Sequence, residues 1–321
     1  MKIAVTGANG FVGQHTIRRL AKGGDTPIAL VRDTASINDH SFEHAVIPSL
    51  NGNTPMPSLI DALQGCDGVV HLAAQVHDMT GKTPESVMWD VNIDGSVRLL
   101  EAAIAAGVKR FVFVSSVKAV GEHTEAAAPF DVHTTPTPQD PYGRSKLEGE
   151  QALTKTAEGA DIQLVILRPT FVYGWPLVGN FKLLVNAVRS GYHLPFMAVN
   201  NRRDMIYVGN LADAIATACH TENTTNVPYF VCDGDPVSTP ELIRRVGDAF
   251  GTPAKLVNFP LIALRIAGAI TRKSAAIQRL TENLEVDNST FCRDAGWQPP
   301  YKMSEGLALC AAAARDSETD R

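Results

Sequence analysis

The chain has 321 residues and a net charge of −5, with 45% apolar and 20% charged residues. This length suits one large α/β unit with a second lobe, and the composition is that of a globular protein. The acidic balance excludes a broadly basic nucleic-acid-binding surface, and no apolar run approaches the ~20 residues that a membrane span needs.

The five cysteines are scattered along the chain without a Cys-x-x-Cys pair. This spacing favours a reducing compartment and argues against a structural zinc, so we expect no metal site. A strand is predicted from Lys2, where a signal peptide would have its apolar region, and we expect a cytoplasmic protein. Residues 315–321 form a polar tail that we expect to be disordered.

The first residues predict a strand, a glycine turn and a helix. Residues 3–5 are apolar, glycines follow at three-residue spacing, and an amphipathic stretch comes next. A turn of this kind brings backbone N–H groups to a pyrophosphate, which the positive end of the helix dipole also attracts. We therefore expect a dinucleotide site whose turn consists of Gly7, Asn9, Gly10, Phe11, Val12 and Gly13.

A second strand is predicted at Thr26–Val31, and Arg32 and Asp33 follow it. At this place in dinucleotide folds an acid binds the ribose 2′-OH, whereas an arginine accommodates a 2′-phosphate. Arg32 therefore weakly favours NADP over NAD. The alternative is that Arg32 is a solvated strand end and that either cofactor binds.

The middle of the chain continues the alternation of strands and helices. We predict a weak strand at 44–47, a short helix at 58–63, a strand at 69–74 and a helix at 85–106, interrupted near Asn92 and Gly95. Small residues after the strand, in the sequence Leu72-Ala73-Ala74, let the backbone pass close to a flat cofactor. We interpret His71 as a packed strand histidine rather than a catalytic group.

The next strand, at 111–114, ends in Ser115 and Ser116, and a helix with Tyr142 and Lys146 follows. Residues four apart share one face of a helix. A tyrosine with an ordinary pKa of ~10 is a poor base at neutral pH, and a nearby ammonium lowers that pKa. The pair therefore predicts proton transfer, with a serine hydroxyl bonded to the reacting oxygen.

The remainder predicts a strand at 162–167, helices at 181–189 and 211–219, and a strand at 228–232. A further helix at 240–250 has Thr239 as its expected N-cap, because proline at the first helical position suits a Thr-Pro start. An apolar helix is predicted at Leu261–Ile270. This helix either packs against the protein, as part of the core or of a lid, or contacts a membrane surface. We expect it to pack against the protein.

These motifs together resemble a known family. The order is TGxxGxxG from Thr6, HLAA from His71, a strand-end Ser116, and YxxxK from Tyr142 to Lys146. Residues 1 to about 300 resemble an extended short-chain dehydrogenase of the NAD(P)-dependent epimerase/dehydratase family. The sequences SSVKAVGE, PQDPYGRSKLEGEQAL and QRL resemble a UDP-glucose 4-epimerase-like subgroup, which includes 4-epimerases and 4-keto reductases of UDP-N-acetyl-amino sugars in bacterial polysaccharide synthesis.

The resemblance implies a fold and an assembly. The fold is α/β, a Rossmann doubly wound parallel sheet with a smaller, mostly C-terminal substrate-binding lobe. The NAD(P)-binding domain would comprise residues 1–172, with 204–235 returning to it, and the substrate lobe would comprise 173–203 and 236–314. Relatives pair as homodimers through two helices that correspond to residues 85–106 and 142–156.

The resemblance also implies roles for particular residues. Tyr142, Lys146 and Ser116 would be catalytic, and Tyr142 and Ser116 would contact the substrate. Arg203 and Arg279 would bind the diphosphate of a UDP-sugar. Relatives carry an asparagine where this chain has Phe171, and Asn180 would supply the amide instead. The cofactor would also contact Arg32, Leu72, Ala73, Ala74, Asn92, Ser115, Tyr142 and Lys146.

Two activities share this apparatus, 4-epimerisation and reduction of a 4-keto sugar, and the sequence leaves both open. A non-catalytic NAD(P)-binding sensor and a reductase of another small carbonyl are further alternatives. Related 4,6-dehydratases have an Asp-Glu pair after the strand-end hydroxyl residue, where this chain has Val117 and Lys118. Because valine transfers no proton, we expect no dehydration.

Overall fold

The computed structural model describes residues 1–33, 41–76, 84–223, 227–271 and 274–319. The strands are β1 Lys2–Thr6, β2 Thr26–Val31, β3 Glu43–Val46, β4 Gly68–His71, β5 Arg110–Val114, β6 Gln163–Pro169, β7 Phe171–Tyr173, β8 His193–Leu194, β9 Met205–Tyr207, β10 Tyr229–Val231 and β11 Lys255–Leu256. The helices are α1 Phe11–Lys22, α2 Met56–Leu63, α3 Glu85–Trp89, α4 Gly95–Ala105, α5 Pro141–Ala157, α6 Gly179–Arg189, α7 Val208–His220, α8 Thr239–Ala249, α9 Leu261–Ile270, α10 Ser274–Thr281, α11 Ser289–Ala295 and α12 Met303–Thr319.

Seven strands form one parallel sheet in the order β10-β6-β5-β4-β1-β2-β3. The chain builds the sheet outward from β1 to β3 and then crosses to β4 on the other side of β1. The strand order therefore reverses between β1 and β4, which is where α/β sheets bind ligands at their carboxyl ends. The predicted Rossmann doubly wound sheet is confirmed.

The sheet is covered on both faces, because successive side chains of a strand point to opposite sides. Ile3 and Val5 of β1 belong to the core under α1 and α7, whereas Ala4 belongs to the core under α2 and α4. Both faces of β1 are therefore buried, which explains why its residues form a continuous apolar run.

A smaller lobe has its own core, formed by residues of α6, α8, α9 and α12 with β7 and β9. Its most buried large side chains include Tyr173 and Phe181. Phe11 and Val12, at the start of α1, pack against this core. The glycine turn therefore lies next to the junction of the two cores.

The segment predicted as one helix at 85–106 is divided into α3, a π-helical turn at Asp90–Asp94, and α4. A Cβ on Gly95 would lie 2.9 Å from the Asn51 nitrogen, and a Cβ on Gly149 of α5 would lie 2.9 Å from the Asn92 carbonyl oxygen. The turn is thus held between two close neighbours, and it carries Asn92 into the interior, where it is 1% exposed.

Three local expectations are wrong. The strand predicted to reach residue 74 ends at His71, because the Leu72 and Ala73 N–H groups donate to the Thr6 hydroxyl, each at 3.2 Å. Ser238, not Thr239, is the N-cap of α8, and its Oγ accepts from the Glu241 nitrogen.

The third concerns the polar tail. Helix α12 continues through Thr319, and Glu318 forms an ion pair with Arg189 of α6 at 2.8 Å. Residues 315–319 are therefore helical rather than disordered, and residues 320–321 lie outside the described residues. Alanine-rich sequence from residue 308 to 314 carries the helix forward, since alanine has the highest helix propensity.

Candidate active site

The glycine turn between β1 and α1 is shaped for an anion. Gly7 has φ +67° and a Cβ there would lie 2.8 Å from the Ala73 nitrogen, while a Cβ on Gly13 would lie 2.1 Å from the Gly7 oxygen. Only glycine fits at either position. The N-cap of α1 is Gly10, no side chain caps the helix, and no acidic residue occupies its first turn. These residues fit a dinucleotide pyrophosphate at the helix N-terminus.

A buried hydrogen-bond network ties this turn to the next strands. The Ser96 hydroxyl donates to the Asn92 carbonyl at 2.8 Å, so it accepts from His71 Nε2 at 2.8 Å. His71 Nδ1 then accepts from the Thr6 hydroxyl at 2.6 Å. The tautomer is assigned from this network. Burial lowers the pKa of His71 to about 3, so the imidazole is neutral, and its interpretation as a packed histidine is confirmed.

Asn92 continues the network to the helix that carries Tyr142. Its amide nitrogen donates to the Gln75 carbonyl at 3.0 Å and to Ser145 Oγ at 2.9 Å, and its oxygen accepts from the Gln75 nitrogen at 2.7 Å. The Ser145 hydroxyl donates to the Tyr142 carbonyl at 2.9 Å. Sequence reasoning singled out Asn92 but missed Ser145, whose three-residue distance from Tyr142 was the available signal.

Tyr142 and Lys146 lie in the first turns of α5, as their spacing predicts. Asp140 caps this helix, since its Oδ1 accepts from the Gly143 nitrogen at 2.7 Å. Lys146 is 2% exposed, and its ammonium donates to the Val114 carbonyl at 2.9 Å and lies 4.5 Å from the Phe113 ring centre. The lysine is therefore held at the end of β5.

The protonation of the pair differs from the expectation. Burial raises the pKa of Tyr142 to about 12, and the Asp140 carboxylate acts in the same direction. Burial also lowers the pKa of Lys146 to about 8. The predicted lowering of the Tyr142 pKa by the ammonium is therefore wrong, because desolvation dominates and the ammonium donates to the Val114 carbonyl.

Ser115 and Ser116, which follow β5, form hydrogen bonds with different partners. Ser116 caps the short turn Val117–Ala119, and its Oγ accepts from the Lys118 nitrogen at 3.2 Å. A Cβ on Gly143 would lie 2.3 Å from the Lys118 carbonyl oxygen, so this turn packs directly against the start of α5. The structure thus brings Ser116 to the helix of Tyr142.

Ser115 is buried, and its hydroxyl donates to Glu150 Oε1. Arg168 of β6 binds the same carboxylate through Nε at 3.0 Å and Nη2 at 2.5 Å. The Ser115 hydroxyl predicted to contact the cofactor is therefore used to join β5, α5 and β6. Sequence reasoning missed this buried ion pair.

A charged cluster extends from the start of α5 to α10. The Lys118 ammonium lies 2.5 Å from Asp140 Oδ2 and 3.1 Å from Glu122 Oε1, and Arg279 Nε lies 3.2 Å from Glu122 Oε2. The cluster joins one predicted diphosphate ligand, Arg279, to the residue that caps the tyrosine helix.

Arg203 lies near Arg279. Its Nη1 donates to the Glu282 carbonyl at 3.0 Å, and burial lowers its pKa to about 10. The Glu282 and Glu122 carboxylates act against this lowering, and the charge of Arg279 adds to it. Among the described residues, no carboxylate lies within ion-pair distance of Arg203. Two guanidinium groups at one place favour an anion between them.

The remaining predicted residues are less constrained. Arg32 is exposed directly after β2, and Asn180 is exposed in the first turn of α6. Leu72, Ala73 and Ala74 follow β4 beside the glycine turn, as predicted. Within the ranges given above, no three metal-ligand side chains are grouped to hold a metal ion, and no helix is long and apolar enough to cross a membrane.

Comparison with known proteins gives consistent similarities. The model of the NAD dependent epimerase/dehydratase family matches residues 3–231. The UDP-glucose 4-epimerase of Vibrio cholerae is 35% identical over 316 residues, which are 97% of this chain and 94% of that protein. The N-acetyl-alpha-D-glucosaminyl-diphospho-ditrans,octacis-undecaprenol 4-epimerase of Escherichia coli O157:H7 is 28% identical over 322 residues, 95% of this chain and 92% of that protein.

The fold is also similar to solved structures. The structure of Thermus thermophilus UDP-glucose 4-epimerase in complex with NAD has a TM-score of 0.77 at 22% identity, covering 98% of this chain and 99% of that one.

Proposed function

The chain belongs to the NAD dependent epimerase/dehydratase family, as its motifs predict, and from that membership we propose that it oxidises or reduces C4 of a nucleotide-activated sugar with NAD(P). The sugar is a UDP-hexose or a UDP-N-acetylhexosamine. The observation that carries the proposal is the Tyr142–Lys146 pair on one face of α5, with the lysine bonded to the carbonyl that ends β5.

The cofactor site is assigned to the glycine turn and the residues around it. The pyrophosphate would be held by the N-terminus of α1, whose glycines leave no room for a Cβ. Lys146 would hold the nicotinamide ribose. When bound, the nicotinamide accepts a hydride from a substrate carbon or supplies one.

Tyr142 transfers the proton at the C4 oxygen in this proposal. With a pKa of about 12 its phenol is protonated at neutral pH, so it can donate to the oxygen of a 4-keto sugar as that carbonyl is reduced. Ser116 orients the same oxygen, because its own Oγ accepts from the Lys118 nitrogen and leaves the hydroxyl proton to be donated. In the oxidative direction the Tyr142 phenol must first release its proton to solvent, and its phenolate then takes the C4 hydroxyl proton.

The smaller lobe, residues 173–203 and 236–314, would bind the nucleotide-sugar against residues 1–172 and 204–235. Arg203 and Arg279 would bind the diphosphate, which a guanidinium matches through two parallel hydrogen bonds. Asn180 would contact the sugar from the start of α6. We also propose a place in bacterial surface polysaccharide synthesis, which the resemblance to the UDP-glucose 4-epimerase-like subgroup implies.

The test is incubation with UDP-glucose, UDP-N-acetylglucosamine and a UDP-4-keto sugar, each with NAD(H) and NADP(H), followed by mass spectrometry and NMR. Inverted C4 at unchanged mass identifies a 4-epimerase, and a gain of two hydrogens by the keto sugar identifies a 4-keto reductase. Loss of one water would contradict the absence of dehydration predicted from Val117 and Lys118. Cofactor binding without turnover of any sugar would favour a sensor or a reductase of another carbonyl.

Tyr142→Phe links the assay to the site. We expect cofactor binding to be retained and turnover to fall about 10²–10⁴-fold, the usual worth of a positioned acid or base. Tyr192→Phe is the matched control, because Tyr192 is 64% exposed and lies outside the site. Equal rates in both variants would remove Tyr142 from the reaction.

A second candidate substrate is a sugar joined through diphosphate to a polyprenyl lipid, the substrate named for the Escherichia coli relative. The observation that favours it is the exposed apolar row on α9, a helix packed against the α10 that carries Arg279. Turnover of the lipid-linked sugar but not of UDP-sugars would select this candidate.

A further inference from the structure

The two most exposed large apolar side chains among the described residues belong to α9, and a third exposed isoleucine lies between them. Ile270 is 78% exposed, Ile262 is 74% exposed and Ile266 is 55% exposed. Their four-residue spacing places them on one face of the helix. With Val257 and Phe259, which are exposed just before the helix, they form the surface that we call the α9 patch.

The patch is a fixed feature of the fold rather than a badly packed helix. The opposite face of α9 is buried through Leu264 and Gly268. A Cβ on Gly268 would lie 2.9 Å from Ile277 Cγ1 of α10, so the two helices are in close contact. The isoleucines point outward because the other face already has its partner. Single exposed apolar side chains are ordinary, but a contiguous row marks an interaction surface.

The charge around the patch is opposite to that of the chain. Residues 255–273, which include the patch, contain four basic residues and no acidic one, while the whole chain has a net charge of −5. One of them, Arg265, is exposed on α9 between Ile262 and Ile266. An apolar face with basic residues beside it is the pattern of helices that lie in the interface of an anionic membrane.

We propose that the α9 patch docks on the surface of a bilayer containing anionic lipids, with α9 lying in the headgroup region. A second copy of the chain is a poorer occupant. A ten-residue helix is about 15 Å long, and one of its faces is small beside the roughly 800 Å² per partner of a stable interface. The inference does not rest on the UDP-sugar reaction proposed above, because the patch lies outside the residues assigned to catalysis, and it is also compatible with the lipid-linked candidate substrate.

The test is sedimentation of the full chain with vesicles. Vesicles of phosphatidylglycerol and phosphatidylcholine should retain the protein, and pure phosphatidylcholine should retain it at least tenfold less. The double variant Ile262→Glu/Ile266→Glu should reduce binding to the anionic vesicles by at least tenfold. Leu309→Glu is the matched control, since Leu309 is 46% exposed on α12 and should leave binding unchanged.

Three results would overturn the proposal. One is a wild-type chain that stays in solution with anionic vesicles, and another is a double variant that sediments like the wild type. The third is a double variant that changes a dimer into a monomer in sedimentation velocity, since the patch would then be covered by a second copy. Thermal unfolding and the sugar-nucleotide assay of the double variant separate these results from loss of fold or catalysis.

Discussion

At the scale of single residues, burial sets the charges of the candidate catalytic pair in opposite directions. It keeps the Tyr142 phenol protonated, and it weakens the Lys146 ammonium, whose pKa is about 8. The lysine is still mainly charged at pH 7, which is below this pKa, and the nearby Glu150 carboxylate favours its charged form. Both side chains are therefore protonated at neutral pH, and Lys146 is the first of the two to lose its proton as the pH rises.

This arrangement predicts the alkaline limit of activity. For the free enzyme, kcat/KM should fall as pH rises through about 8, since Lys146 loses its proton there and no longer carries charge for the cofactor or for Tyr142. The measurement is kcat/KM against pH from 6 to about 10, the range in which an unperturbed lysine stays charged. A profile that stays level beyond pH 9 would contradict the assignment.

Arg32 decides the predicted cofactor preference. It is exposed directly after β2, where a guanidinium can meet a 2′-phosphate. We expect Arg32→Ala to weaken NADP(H) binding about tenfold and NAD(H) binding much less, as one charge-assisted contact is lost. Fluorescence titration with both cofactors measures this, and Arg18→Ala, at an exposed position of α1, is the control. Equal losses would make Arg32 a solvated strand end.

At the scale of elements, two buried polar connections hold the strands and helices of the site in register. The first runs from Thr6 of β1 through His71 of β4 and Ser96 of α4 to Asn92, and then to α5. The second joins Ser115, Glu150 and Arg168 across β5, α5 and β6. Both orient α5, the helix that carries Tyr142 and Lys146.

The first connection predicts an effect of acid. Because His71 has a pKa of about 3 in the folded chain and near 6.5 when unfolded, the unfolded state takes the proton first. Its contribution to stability is complete above pH 6.5 and is lost as pH falls towards 3. His71→Phe should lower the free energy of unfolding by about 1–3 kcal/mol at pH 7, by leaving the Thr6 hydroxyl without its acceptor.

The measurement for His71 is urea unfolding of both proteins at pH 7 and pH 5. The difference between the two proteins should shrink at the lower pH, since the variant has no imidazole to protonate. His44→Phe, at an exposed position of β3, should behave like the wild type. An unchanged difference at pH 5 would exclude His71 as a source of acid sensitivity.

The second connection predicts a large cost of removing one partner. Arg168→Met should lower the free energy of unfolding by about 3–5 kcal/mol, because Glu150 then remains as a buried, unpaired carboxylate. Glu150→Gln in the same chain should restore part of the loss. Lys109→Met tests the exposed pair of Lys109 with Asp161 and should cost about 0–1 kcal/mol. Denaturant unfolding at one pH compares the three, and equal costs would contradict the argument.

At the scale of the whole molecule, α4 and α5 pack side by side on one face of the central sheet. Trp89, the last residue of α3, donates a hydrogen bond of 2.9 Å to Glu148 on the outer side of α5. These helices correspond to those through which relatives pair, and we predict a homodimer formed by the same surface.

Light scattering after size exclusion measures the mass at micromolar concentration, and we expect twice the chain mass of 34.5 kDa. Leu147→Asp, on the outer side of α5, should shift the mass toward the monomer, because a carboxylate would be buried without a partner. Leu309→Asp on α12 should leave it unchanged. A wild-type monomer would reject the prediction.

The sequence by itself determined the parts of the molecule that rest on local pattern. The glycine spacing after β1 identifies the turn that contains Gly7 and Gly13. The four-residue spacing of Tyr142 and Lys146 places both side chains on one face of α5. The bounds of α9 follow from its apolar composition, and the parallel Rossmann sheet follows from the family resemblance that the motifs carry. Local pattern is sufficient there because the same few residues form both the element and its contacts.

The tertiary structure decided what depends on distant partners. The ends of strand β4 and the cap of α8 differ from the prediction because Thr6 and Ser238 capture the backbone groups concerned. The pKa values of Tyr142 and Lys146 follow from burial, which spacing along the chain does not encode. The exposure of the α9 isoleucines also depends on the tertiary structure, because α10 covers the opposite face of α9. The sequence of an apolar helix does not show which of its faces contacts protein and which contacts solvent.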